Sequence, residues 1–100
     1  MKITLYIVIS TSYSESGEYL RTESQTFTSP ESALNYYDKQ KQEAIKTANG
    51  YKQNMGREPK VTEIQWADTR KFNIKRHSPC GYGYQAEVKI EAAEIDLPQA

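Results

Sequence analysis

Residues 82 to 92 alternate almost without fault. Tyr82, Tyr84, Ala86, Val88, Ile90 and Ala92 share one parity, and Gln85, Glu87, Lys89 and Glu91 take the other. Successive side chains of a strand point to opposite faces, so this segment reads as a strand with one buried and one wet face. That pattern suits an antiparallel sheet covered on one side only. The adjacent Ala92 and Ala93 shift the phase, because Ile95 falls on the opposite parity, and a bulge or strand end is expected there.

The rest of the chain divides around this strand. Ile3, Leu5, Ile7 and Ile9 recur at period two and predict a first strand. Ser14 to Glu18 form a polar turn, and the extended run from Tyr19 to Thr28 completes a hairpin. Ser29, Pro30 and Glu31 then supply an N-cap hydroxyl, a proline at the first helical position and an acid against the helix dipole. Leu34, Tyr37, Ala44, Ile45 and Ala48 lie on one helical face with Lys41 in the same stripe, and Asn49 with Gly50 ends the helix. Residues 51 to 59 read as a connection. Strands follow from Lys60 to Ala67 and from Lys71 to His77. The first places Thr62, Ile64 and Trp66 on one side, and the second places Phe72, Ile74 and Arg76 opposite Lys71, Asn73, Lys75 and His77.

This order, ββαβββ, predicts an α+β fold: a two-layer sandwich with an antiparallel β-sheet and one helix on one face. One hundred residues form a single domain, 1–100, with 97–100 expected as a mobile tail. The expected core sets Leu34, Tyr37, Ala44, Ile45 and Ala48 against Ile3, Leu5, Ile7, Ile9, Ile64 and Trp66. Tyr6 and Val8 then point to the uncovered face, where they suggest a homodimer or partner surface. A chain this small favours a functional surface over an enclosed pocket.

One cysteine allows no intramolecular disulfide framework, so a reducing, cytoplasmic setting is expected. The apolar run Ile3–Ile9 is too short to span a bilayer and no Ala-x-Ala cleavage site follows it, so no membrane role is expected.

The segment that points most directly to function runs from Thr69 to Ala86. It holds no acid, yet carries Arg70, Lys71, Lys75, Arg76, the single His77, the single Cys80, Tyr82 and Tyr84. Residues 57 to 77 carry six basic side chains against three acidic, and residues 78 to 100 one against four. The preferred reading is a non-enzymatic protein-binding surface comprising Arg70, Lys71, Lys75, His77 and Tyr82, since a projecting tyrosine beside basic residues presents rigid contact area and charge. The bland alternative is neutralisation by Glu87 and Glu91 on the neighbouring strand. A nucleic-acid module using strand 70–77 is the runner-up. Against it, Tyr82 and Tyr84 share the parity of Val88 and Ile90, which leaves the basic face without stacking rings.

Cys80 with His77 suggests a remoter reading as a thiol enzyme, but three residues across a turn rarely make an activated pair. Two ligands cannot make a zinc site, and Gly81-Tyr82-Gly83 lacks the spacing of a phosphate loop, so neither metal nor cofactor is expected. In size and architecture the chain is of the type found among small accessory proteins of phages and mobile elements, including inhibitors of host defence.

Overall fold

The computed structural model describes residues 1–14, 19–50, 59–66, 69–76, 83–96 and 98, without the side chains of Ser14, Tyr19 and Arg76. The elements are β1 (Lys2–Ser14), β2 (Tyr19–Phe27), α1 (Pro30–Gly50), β3 (Lys60–Trp66), β4 (Thr69–Arg76) and β5 (Tyr84–Asp96). All five strands form one antiparallel sheet in the order β2-β1-β5-β4-β3, with α1 packed on one face. The predicted two-layer α+β fold and its element order are therefore the observed ones. The hairpin β1–β2 and the meander β3–β4–β5 join in the middle, where β5 pairs with β1 along all thirteen residues of each strand.

This long ladder decides which residues are core. Val8 lies opposite Ile90, Tyr6 opposite Ala92 and Ser10 opposite Val88, so the even residues of β1 share a face with the even residues of β5. The same face continues into β4, where Phe72 pairs with Val88 and Ile74 with Ala86. Val8, Phe72, Ile74, Ala86 and Val88 are essentially solvent-free, with Tyr84 and Ile90 close behind. Several expectations change, among them the core places given to Ile64 and Trp66, which stand exposed on the edge strand β3. Tyr6 and Val8 do not look outward, because Val8 is buried in the core and Tyr6 packs against it. Ile3, Leu5, Ile7 and Ile9 form the opposite, helix-free face. Nor is there a register shift at Ala92 and Ala93, since β5 continues in phase to Asp96 and Ile95 pairs with Ile3. The shift falls instead between Ser12 and Tyr13, against β2.

The helix starts where its cap predicts. The Ser32 N–H donates to Ser29 Oγ at 3.4 Å, which satisfies one free amide of the first turn. The Ala33 N–H makes the first regular helix bond, to the Ser29 carbonyl at 3.1 Å, while Pro30 has no N–H to satisfy. Its buried stripe is Ala33, Tyr37, Gln40, Ala44 and Ala48. This is the predicted face turned by part of a residue step: Tyr37, Ala44 and Ala48 are central, Ile45 is half-buried at the flank, and Leu34 is 41% exposed. Size explains the turn. A helix approaches a pleated sheet most closely along its smallest residues, so three alanines take the centre and the larger side chains move aside. Leu34 borders a hollow of about 220 Å³ with Tyr6, Arg70 and Ile90 rather than filling the core.

The backbone of α1 runs close to β1, β2, β4 and β5 but not to β3, whose seven residues are all exposed. The link from α1 to that edge strand is polar. The Tyr37 hydroxyl donates to Glu63 Oε2 at 2.7 Å, and Lys41 Nζ lies 2.7 Å from the same oxygen and 3.1 Å from Oε1. Lys41 Nζ also sits 5.4 Å from the ring centres of both Tyr37 and Phe72, so the cation has aromatic as well as anionic neighbours. Burial and then the hydrogen bond to Glu63 push the Tyr37 phenol far above its ordinary value, and it remains a donor throughout the physiological range. Partial burial acts to raise the Glu63 pKa. Hydrogen bonds from Lys41 and Tyr37 and the charges of Lys41 and Arg70 outweigh it and hold the carboxyl below its ordinary value.

Two sets of measurements test this account. Ile74→Ala removes a solvent-free side chain and is expected to cost about 2–5 kcal/mol, whereas Leu34→Ala should cost below about 1 kcal/mol. Gln40 is the one buried polar side chain among the described residues and has no hydrogen-bond partner among them, so Gln40→Leu should raise the melting temperature. Tyr37→Phe should cost about 1–2 kcal/mol near neutrality. A carboxyl with a lowered folded pKa adds stability that is complete above its unfolded pKa and is lost as the pH falls through the folded one. The melting-temperature gap between wild type and Glu63→Gln should therefore shrink from about pH 6 to about pH 3. A gap that stays constant would show that the clamp is not electrostatic.

Candidate functional site

The face of the sheet away from α1 is covered by no described element. Its composition follows from the registers. On β1 stand Ile3, Leu5, Ile7 and Ile9, each half-buried among its neighbours. Short polar residues border them on β2, with Thr26 beside Ile7 and Ser24 beside Ile9. On β5, Ile95 and Ala93 extend the apolar patch beside Ile3 and Leu5, and Glu91, Lys89 and Glu87 follow beside Ile7, Ile9 and Thr11. β4 contributes Thr69, Lys71, Asn73 and Lys75. β3 closes the row with Trp66, Ile64, Thr62 and Lys60 beside them in that order. The face thus has an aliphatic stripe near one side, a charged centre, and a second apolar pair, Ile64 and Trp66, at the far edge.

The charges are only partly neutralised. Lys71 stands directly opposite Lys89 and between Ile64 and that lysine, and its ion pair is diagonal, to Glu87 at 3.4 Å. Lys89 pairs with Glu91 at 3.6 Å along its own strand. Neither pair is deeply buried, so each is worth roughly 0–1 kcal/mol. Lys75 and Lys60 are neighbours across β4 and β3, and no carboxylate lies within ion-pair distance of either among the described residues. Among the described residues the expected pairing with Glu87 and Glu91 thus holds for Lys71 and Glu87 alone. The face carries four lysines, Lys60, Lys71, Lys75 and Lys89, against two glutamates, Glu87 and Glu91.

The five residues predicted as a partner surface do not all meet. Lys71 and Lys75 belong to the open face. Arg70 is on the other side of the sheet, paired in register with Ile90 and Gln65, and its guanidinium donates to Gln65 Oε1 at 3.0 Å. There its charge helps to hold the Glu63 carboxyl ionised. His77 and Tyr82 lie outside the described residues, as does Cys80.

The homodimer surface expected around Tyr6 and Val8 is not available, because the helix covers it. Sequence reasoning assigned the Ile3–Ile9 stripe to the core and so missed it as surface. The signal that exposes it is nonlocal: Glu87, Lys89 and Glu91 on the central strand cannot lie under a helix, so whatever pairs beside them is also outside.

A cleft of about 360 Å³ runs on the helix side between α1 and β2, lined in part by Ser10, Ser12, Leu20, Gln40 and Glu43. Among the described residues no three His, Cys, Asp or Glu side chains stand close enough to hold a metal ion, and no helix is long and apolar enough to cross a membrane. Among the described residues the open face offers broad contact and charge. Compared with protein-family models, curated proteins and solved structures, the chain matches none.

Proposed function

We propose that this chain is a non-enzymatic binding protein that acts as an adaptor or inhibitor through the open face of its sheet. Its partner is a protein with an apolar ridge bordered by carboxylates. The observation that carries the reading is the aliphatic stripe Ile3, Leu5, Ile7 and Ile9, left uncovered beside a lysine-rich half of the same face. Contiguous apolar surface rimmed by polar groups is the usual mark of a protein contact. The lysine excess gives a preference for an acidic partner and faster association with it.

Nucleic acid is favoured less. Among the described residues with placed side chains the open face carries two rings, Tyr13 on β1 and Trp66 on β3, three strands apart, whereas strand-binding sheets stack bases on neighbouring rings.

The test compares three variants for capture of a protein partner from a lysate of the source cells. Lys71→Glu with Lys75→Glu should unfold at nearly the wild-type temperature, losing only an exposed ion pair worth up to about 1 kcal/mol. It should bind the partner about tenfold more weakly, chiefly through slower association. Ile7→Lys should abolish capture, and Leu34→Lys on the exposed helix flank should leave it intact. Equal capture by all three folded variants would refute the open face. Capture that vanishes on nuclease treatment and falls steeply with salt would replace the protein partner by nucleic acid.

A further inference from the structure

The sheet has two edges, and they differ in chemistry. β2 is polar along most of its length, carries Arg21 and Glu23, and meets a register shift near its start. Charges and irregularities of this kind are how proteins prevent edge-to-edge pairing. β3 is guarded less along its length: Lys60 is its first residue, and from Ile64 to Trp66 it carries no charge. It is seven residues without a register shift, and it exposes Val61 at 49%, Ile64 at 56% and Trp66 at 49%. No described backbone group bonds to its outer edge, and α1 does not reach over it. Its internal carboxylate, Glu63, would ordinarily serve as a guard, but Tyr37 and Lys41 hold it on the helix side.

We infer that β3 is a dimerisation edge, and that its occupant is β3 of a second copy, paired antiparallel about a two-fold axis normal to the sheet. Symmetry restricts the register. Residues directly opposite one another point to the same face, so a two-fold antiparallel pair must place one residue opposite itself. With Glu63 at the axis, two carboxylates would face each other, which is unfavourable. With Thr62 at the axis, Ile64 meets a lysine, Lys60, and Trp66 has no β3 partner.

With Ile64 at the axis, Ile64 packs on its own copy and Trp66 on Thr62 of the other chain at both ends. Aromatic and β-branched pairs of this kind are the favourable ones. On the helix side, Glu63 then lies beside Gln65 of the second copy. The Gln65 carbonyl oxygen is taken by Arg70, so its amide is left to donate. This register uses every large apolar side chain on the open side of β3 and opposes no like charges.

A ladder of five residues is small beside the roughly 800 Å² per partner of a stable interface, so the dimer should be weak, about micromolar in affinity. Its product is a continuous sheet of two copies in which the open faces adjoin. The inference does not rest on the function proposed above, because it uses the outer edge of β3 with Ile64 and Trp66, whereas that function is carried by the Ile3–Ile9 stripe three strands away.

The test uses the full chain. Sedimentation velocity between about 5 and about 500 micromolar should show a monomer passing to a dimer, with the emission of the single tryptophan shifting to the blue. Ile64→Lys should remain monomeric at all these concentrations while keeping the wild-type circular dichroism. In a Cys80→Ser background, Ile64→Cys should oxidise rapidly to a disulfide-linked dimer, since residues opposite each other in an antiparallel pair lie within disulfide reach. Thr62→Cys and Leu34→Cys should cross-link at least about tenfold more slowly. The inference fails if the wild type stays monomeric throughout, if Ile64→Lys still dimerises, or if Ile64→Cys cross-links no faster than Leu34→Cys. A partner strand from another protein on this edge would produce the first of these outcomes.

Discussion

The structure depends on the two-sidedness of β5. It is the middle strand, flanked by β1 and β4, and it carries Tyr84, Ala86, Val88 and Ile90 on one face and Gln85, Glu87, Lys89 and Glu91 on the other. Burying those charges beneath a helix would remove them from water without partners for all of them, at a cost of several kcal/mol each. The helix therefore has one permitted side. Every other strand inherits that choice through its register with β5, including β1, whose more aliphatic face is left outside.

Sheet width then sets what the helix leaves uncovered. Five strands spaced about 4.8 Å apart are roughly twice as wide as a helix about 10 Å across, so α1 can seat on the central strands only. The alanines at 33, 44 and 48 bring it close to Val8, Phe72 and Val88, and dense central packing follows. The edges need other means. On the β2 side, Phe27 packs against Tyr36 with ring centres 5.5 Å apart. On the β3 side, Glu63 reaches to Tyr37 and Lys41. A hydrogen bond to an ionised group is stronger than a neutral one, so Glu63 ties to the helix a strand that is otherwise held by its ladder with β4.

How far the sequence discloses this depends on whether a property is local. The six elements, the Ser29 cap and the core parity of β4 and β5 are local patterns, set by side-chain period and backbone preference, and they match the structure closely. The side of the sheet on which Ile3, Leu5, Ile7 and Ile9 fall is not local. It depends on pairing with residues some eighty positions away, and a shift of one residue reverses it. Ranking the two faces of β1 by hydrophobicity therefore selects the wrong one. The same limit applies to the helix, where hydrophobicity favours Leu34 but close approach favours Ala33. Arg70 and Lys71 are adjacent in a basic run, and adjacency in a strand means opposite faces, so that run could never have formed one surface.

The open face can be read as a compromise between association and aggregation. Four large aliphatics in a row on one face of a sheet would attract any similar surface. Beside them, Lys89 and Lys71 stand across from each other, and Lys60 and Lys75 do the same, so two like-charged pairs lie within the sheet at a cost in stability. The long apolar stems of these lysines can cover neighbouring hydrocarbon while the ammonium groups stay in water, and their charge repels surfaces of the same sign. A partner bearing carboxylates reverses that repulsion and gains the aliphatic contact as well. On the proposal that this face binds such a partner, the lysines would supply the selectivity and the aliphatic stripe they border the binding energy.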